Sequence, residues 1–456
     1  MPKRDNRQVE GQLFELGREL KRLFSHRPAH EGLSLGDPSL LELLDVTLLQ
    51  AEGRSADVAA GRVGAKDRVT LLVEASVVWR ELARRTGDAA ALRKAASCAE
   101  EAAELARSES RPAALSEALC QQAHCALLGS ELFGEEGLAS AADYLLERAP
   151  QSLSTQALRA RLLARRAMAG GDAPALRAAG SAYDRVLGAP RSRARAQEAY
   201  AAALLGRERG EFLVAGGARL KDVDLVRAGL MGLDAAAALL NGDYHPIALA
   251  RVEEARGVAL VRLAELTGDV GPAFEAADLL EAAADLITAD HAPLDWARLH
   301  HARGLALMTV AEASGSESPF DKALQAFGKA HAVLDGAANL ALRTVVAQDR
   351  ADCLVRRAEV RGDGFALDEA EAVLRSELAG LRAPPDPVAW AVLQLNLARV
   401  YVAQAAANGQ DRGERARAGE ALLGAFEVFA EHGLRTLAAA AEDGLERLRE
   451  DAAAHR

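Results

Sequence analysis

Residues 294–334 read LDWARLHHARGLALMTVAEASGSESPFDKALQAFGKAHAVL, and this stretch decides the fold. It reads as two helices joined by a short polar turn. Its spacing of small and large residues returns along most of the chain at an interval of about 47 residues. Counted from Leu249, Trp296, Arg343 and Trp390, the eighth residue on is Gly257, Gly304, Ala351 or Ala398. The eleventh is Leu260, Leu307, Leu354 or Tyr401, and the fifteenth is Ala264, Ala311, Ala358 or Ala405. The nineteenth is Gly268, Gly315, Gly362 or Gly409. At offset 27 stand Ala276, Ala323 and Ala370, with Ala418 one residue out of step.

Offsets 8, 11 and 15 share one helical face. A small residue at 8 admits a neighbouring helix, a large one at 11 fills the space beside it, and Ala at 15 gives a second close approach. Gly at 19 ends the first helix in a left-handed cap, and a following Asp can cap the second. Ala at 27 packs the second helix back on the first. One such pair cannot bury its apolar face alone, so neighbours must stack. The template fits again from Arg68 (Trp79, Ala83, Gly87, Ala95) and from Ser152 (Ala160, Leu163, Ala167, Gly171, Ala179). A degenerate unit is expected around 113–149, and one with a longer turn at about 194–242.

Composition agrees. Half of the 456 residues are hydrophobic, only 4% are aromatic, and Ala and Leu dominate, so helix is favoured over strand. The net charge of -11 leaves no basic face for sequence-independent nucleic-acid binding. Cys98, Cys120, Cys125 and Cys353 have no CxxC spacing and read as small buried thiols of a reducing compartment. The sequence shows no signal-peptide core and no apolar run long enough to span a membrane, so a cytoplasmic protein is expected.

The order small residue, large residue, small residue, then Ala in the second helix resembles the tetratricopeptide repeat family. Residues 293–297 (PLDWA) with Gly304, and more loosely 387–391 (PVAWA), are similar to its long-period bacterial variant. The resemblance covers roughly residues 68–436. It implies an all-α superhelix, a TPR-like solenoid of about eight antiparallel helix pairs. Residues 1–67 are then an N-terminal helical cap and linker, and 437–456 a C-terminal capping helix and tail. The period of 47 rather than 34, and Leu or Ala at most aromatic positions, depart from the family pattern.

Within the cap, Val9, Leu13, Leu16, Leu20 and Leu23 make residues 6–25 an amphipathic helix. Residues 1–30 carry seven basic and four acidic side chains, and this helix is expected to cap the array or to meet a partner or a membrane surface, self-association included. A short helix is expected at 38–52 and a glycine-bearing linker at 53–67.

No nucleotide-binding loop, HExxH, GxSxG, GxGxxG or zinc-finger spacing occurs in a usable context. His300 and His301 are adjacent and point about 100° apart on a helix, which suits exposed or capping histidines rather than one metal. The pairs Glu100–Glu101 and Glu253–Glu254 read as exposed helix acids. No catalytic residue, cofactor or metal site is expected. GRERGEFLVAGGARL (206–220) reads as an irregular turn in which Phe212, Leu213 and Val214 form a partner loop.

The resemblance places the first helix of each pair on the concave surface, with offsets 2, 5 and 9 facing the groove. Arg251, Glu254, Arg298, His301, Gln348, Asp352 and Arg399 are the candidate binding residues. Their mixed charge suits a peptide or protein surface. The expected function is a non-catalytic protein- or peptide-binding scaffold, the alternative a regulatory sensor that binds a small molecule or signal peptide.

Overall fold

The computed structural model describes residues 38–62, 67–189, 195–334, 340–361, 364–381, 387–407 and 411–454. Among them the protein has nineteen helices and no strand. Helices α1 (Pro38–Leu41) and α2 (Val46–Gly61) precede eight pairs. In chain order these are α3 (Arg68–Thr86) with α4 (Ala89–Ser108), α5 (Pro112–Phe133) with α6 (Glu136–Arg148), α7 (Leu153–Gly170) with α8 (Ala173–Leu187), and α9 (Arg195–Leu220) with α10 (Val223–Ala237). Next come α11 (Pro246–Thr267) with α12 (Gly271–Ala283), α13 (Pro293–Ser314) with α14 (Glu317–Leu334), α15 (Leu340–Arg361) with α16 (Gly364–Gly380), and α17 (Pro387–Ala407) with α18 (Glu414–Glu431). Helix α19 (Arg435–Ala454) packs on α18, with Leu422 against Gly444. The fold is TPR-like: consecutive helix pairs, each pair one repeat.

The helices gather into two compact units. One holds the described parts of 1–262 and 282–296, the other those of 263–281, 297–336 and 340–456.

The repeat template is visible in the packing. Helices α11, α13, α15 and α17 begin at Pro246, Pro293, Leu340 and Pro387, each 47 residues after the last. Three start with proline, whose fixed φ and missing N–H suit a first turn. Ala83, Ala167, Ala264, Ala311, Ala358 and Ala405 at offset 15 are all buried. At offset 27, Ala95, Ala179, Ala276, Ala323 and Ala370, with the shifted Ala418, have no accessible surface at all. Gly87, Gly171, Gly268 and Gly315 take φ of 73°, 75°, 73° and 60°, the left-handed cap that a side chain would strain. Asp88 and Asp172 accept from the N–H of Ala90 and Ala175 at 2.7 and 2.6 Å, capping the second helices. Gly362 and Gly409 lie outside the described residues, as does the helix expected at 6–25. All four cysteines are free and buried.

Several expectations are corrected. Residues 206–220 form no loop: they belong to α9, and Phe212, Leu213 and Val214 are buried in the core at 7%, 7% and 3% exposure. The glycines there serve close packing, not turning. A Cβ on Gly210 would sit 2.6 Å from Leu233, on Gly217 2.7 Å from Val226, and on Gly229 2.7 Å from Val214. The extra length of this repeat is therefore in the helix rather than in the turn. Residues 53–61, expected in a linker, lie in α2, where a Cβ on Gly53 would come 2.9 Å from the Trp79 ring. Leu163 is 37% exposed, and its neighbour Leu162 takes the packing position. His300 is buried, not exposed, and burial with Lys329 and Arg303 lowers its pKa to about 4.

The packing yields a paired prediction. A Cβ at Gly304 would enter the Phe327 ring, whereas nothing lies near one at Gly328. Gly304→Ala should destabilise by about 1–3 kcal/mol, as overpacking does. Gly328→Ala should gain up to about 1 kcal/mol from helix propensity. Thermal melts of the two variants check both signs.

Candidate functional site

The first compact unit contains a cavity of about 710 Å³. Its walls come mainly from α3, α5, α7, α9 and α11, the first helices of five successive pairs, so their inner faces meet around one space. Both its size and its mixture of apolar wall with a few charged groups suit a bound ligand or an inserted peptide segment. Leu158, Leu205 and Ile247 supply apolar wall, and Arg80, Arg84, Arg161, Arg207 and Arg251 supply cations.

Most of that charge is tied up. Arg84 Nη1 donates to both oxygens of Asp295, at 3.0 and 2.8 Å, while its Nε and Nη2 hold Glu81 at 2.9 and 2.7 Å. Burial alone would raise the Glu81 pKa, but Arg84 and Arg85 reverse this and hold it well below the usual carboxylate range. Arg161 pairs with Glu131 at 2.7 Å and Glu208 at 3.5 Å, Arg207 pairs with Glu211, and Arg251 lies 3.5 Å from Asp295. Burial, with Arg207 and Arg84 nearby, lowers the Arg251 pKa to about 10. A network of this kind adds little net stability when intact, but losing one partner strands a charge and costs about 3–5 kcal/mol.

Glu42 closes one side of the cavity. It is 3% exposed and accepts from the Tyr200 hydroxyl at 2.6 Å and from the N–H groups of Ile247 and Ala248 at 3.0 Å each. Those N–H groups are free because they open α11, where the helix dipole also favours an acid. Burial still outweighs these contacts and pushes the Glu42 pKa up to about 7. The surrounding backbone is held as well. Arg85, with no accessible surface, donates to the carbonyls of Leu44 and Leu41 at 2.5 and 2.7 Å. His291 Nε2 lies 2.6 Å from the Glu42 carbonyl, and burial with Arg85 lowers its pKa to about 4.

Of the seven groove residues expected from the sequence, only Arg251 lines this cavity. Glu254 is partly buried on the same helix but is not part of the cavity wall. Arg298, His301, Gln348, Asp352 and Arg399 are partly buried in the second unit. Some of them brace neighbouring repeats. Asp352 and Arg399, both at offset 9, pair with each other across successive first helices, and His301 Nε2 meets Asp349 at 2.6 Å. Asp352 also takes Arg356 Nε at 2.8 Å.

The sequence reading missed Glu42, Arg80, Arg84, Gln121, His124, Arg161 and Tyr200. Arg161 does stand at offset 9 from Ser152, and Ser154 and Ala157, at offsets 2 and 5 of the same repeat, line the cavity with it. The others escape a fixed offset because the cavity crosses the helices obliquely. It meets α3 near its C-terminal end, at Arg80–Arg84, and α11 near its N-terminal end, at Ile247 and Arg251.

No protein-family model matches the chain, and no curated protein matches it. Solved structures of similar fold include a Rap protein complexed with competence and sporulation factor, at 12% identity over 86% of this chain and 100% of that one, with a TM-score of 0.44. A monomeric IFIT1 mutant with Gppp-AAAA is similar at 14% identity, over 92% and 91% of the two chains, TM-score 0.41. The P58(IPK) TPR domain is similar at 15% identity, over 89% and 97%, TM-score 0.21.

Glu42 makes stability depend on pH. The folded state holds its proton up to about pH 7, whereas an exposed glutamate releases it near 4.5. Stability from this group is therefore present at low pH and declines as pH rises from about 4.5 to about 7. The decline is on the order of 3 kcal/mol. Glu42→Gln should be more stable relative to wild type at pH 8 than at pH 5 in thermal melts. An equal difference at both pH values would contradict the assignment.

Proposed function

We propose that the protein is a non-catalytic protein- or peptide-binding scaffold, and that the cavity of the first unit is a working part of its binding surface. One observation carries the reading: the first helices of five successive pairs converge on a single space lined by charged and apolar side chains. Repeat arrays present such inner faces because their second helices cover the outside of the stack. An extended segment of a partner would lay apolar side chains against Leu158, Leu205 and Ile247 and direct polar groups at the arginines.

Within the lining, Glu81 is held ionised by two arginines and Glu208 lies beside Arg161. A specific observation also keeps the sensor reading in view: the cavity is in the size range of a small ligand. Four buried free cysteines suit a reducing compartment, and we place the protein in the cytoplasm on that basis. No helix among the described residues is long and apolar enough to cross a membrane.

Ala201 lines the cavity and is exposed, so a large side chain there fills the space without entering the core. Peptides selected from a displayed random library on the full-length wild-type protein should lose at least about tenfold in affinity on Ala201→Trp, which corresponds to 1.4 kcal/mol. The melting temperature should be unchanged. Binders that ignore the substitution would place the peptide surface elsewhere.

A further inference from the structure

Residues 41–46 run from the last residue of α1 to the first of α2, and they make contacts as far as 249 residues further along the chain. On one side the Glu42 carboxyl group takes the N–H groups of Ile247 and Ala248 in the first turn of α11, and the Tyr200 hydroxyl near the start of α9. On the other side the backbone is gripped. Arg85, at the end of α3, donates to the carbonyls of Leu41 and Leu44, and His291 Nε2 meets the Glu42 carbonyl. The Val46 N–H donates to the Asp290 carbonyl at 3.3 Å, and Leu41 is 1% exposed. The segment therefore ties the end of α3 to the starts of α9 and α11 and to the turn before α13, all within the first unit.

Glu42 is the weak point of this arrangement. The charged and titratable groups around it are Glu81 and Arg84 from α3, Tyr200 from α9 with the His245 ring 5.2 Å from it, and His291 from the turn before α13. Arg251, one turn into α11, lines the same cavity. Arg84 gives its hydrogen bonds to Glu81 and Asp295 rather than to Glu42. An ionised Glu42 thus has a hydroxyl and two N–H groups to replace the water it has lost, and burying a charge on such terms is costly. A segment that has swung out restores that water. We propose that residues 41–46 are a pH-released clasp: ionisation of Glu42 lets the segment leave α9 and α11, and it takes with it the wall that Glu42 gives the cavity. The release does not depend on what the cavity binds. In the clasp Glu42 keeps its proton up to about pH 7, and in water it loses it near 4.5. The closed form is therefore favoured at low pH, loses ground as pH rises from about 4.5 to about 7, and changes little above that. Between pH 5 and pH 8 the ratio of open to closed should grow on the order of 50- to 100-fold.

The test is hydrogen–deuterium exchange of the full-length protein at pH 5 and pH 8, with each rate corrected for the intrinsic pH dependence of amide exchange. It is read at Val46, Ile247 and Ala248, whose N–H groups the clasp occupies, and at residues 118–128 of α5 in the same unit. In wild type the three clasp amides should lose protection on the order of 50- to 100-fold between the two pH values, while 118–128 keep theirs. Glu42→Gln retains an oxygen for the N–H groups and has no proton to lose, so its clasp amides should be protected alike at both. Tyr200→Phe removes a donor to the carboxylate, so the pH at which protection stops falling should move up. Unchanged protection in wild type, or an equal loss in Glu42→Gln, would overturn the proposal. So would a loss spread evenly over the clasp amides and 118–128, because the whole unit would then be opening. If Tyr200→Phe leaves the pH profile where it was, Glu42 is not the group that titrates.

Discussion

Everything in this structure depends on how closely two helices of a pair approach each other. The six alanines at offset 27 have no accessible surface, and the alanines at offset 15 are buried in all six clear repeats. A larger side chain at either position would push the pair apart by the width of its extra atoms, in an interior already packed to near crystal density. Close approach brings apolar flanks into contact along whole helices, and each pair then offers its neighbour a complete surface. The turns serve the same end. A left-handed glycine stops the first helix abruptly, and an aspartate caps the second within two or three residues, so the two lie side by side.

With backbone spacing set by small residues, the long side chains on the inner faces are left for other work. In the second unit they brace adjacent repeats, as Arg399 and Asp352 do. In the first unit they surround a cavity and are mostly paired around it. Arg80 is the exception and donates to the Gln121 side chain rather than to a described carboxylate. Glu42 shows what this interior does to a carboxyl group: a hydroxyl and two helix-terminal N–H groups converge on it, and burial still raises its pKa to about 7.

The fold was legible because the repeat is enforced by sterics, which act on residue size at fixed intervals. Gly87, Gly171, Gly268 and Gly315 announced their caps, and the alanines announced their contacts. Where the sequence misled, size was again the reason. Gly210 and Gly217 look like turn residues, yet they lie within α9, the second in its last turn, where α10 passes too close for a Cβ. The site was much less legible. Offsets 2, 5 and 9 treat every repeat alike, but the cavity runs obliquely, so the inward residue shifts along each helix. Asp352 and Arg399 recur at one offset because they pair with each other. Arg80 carries no sequence mark at all; what distinguishes it is the absence of a described carboxylate beside it, which only the folded arrangement reveals.

The central claim is that the first helices of the first unit form the binding surface. Hydrogen–deuterium exchange of the full-length protein, with and without a selected peptide, tests it directly. The account predicts ligand-dependent protection in 68–86, 112–133, 153–170, 195–220 and the start of 246–267, with little change in the second helices. Protection confined to 89–108, 136–148, 173–187 and 223–237, or absent from residues 38–262 altogether, would contradict it.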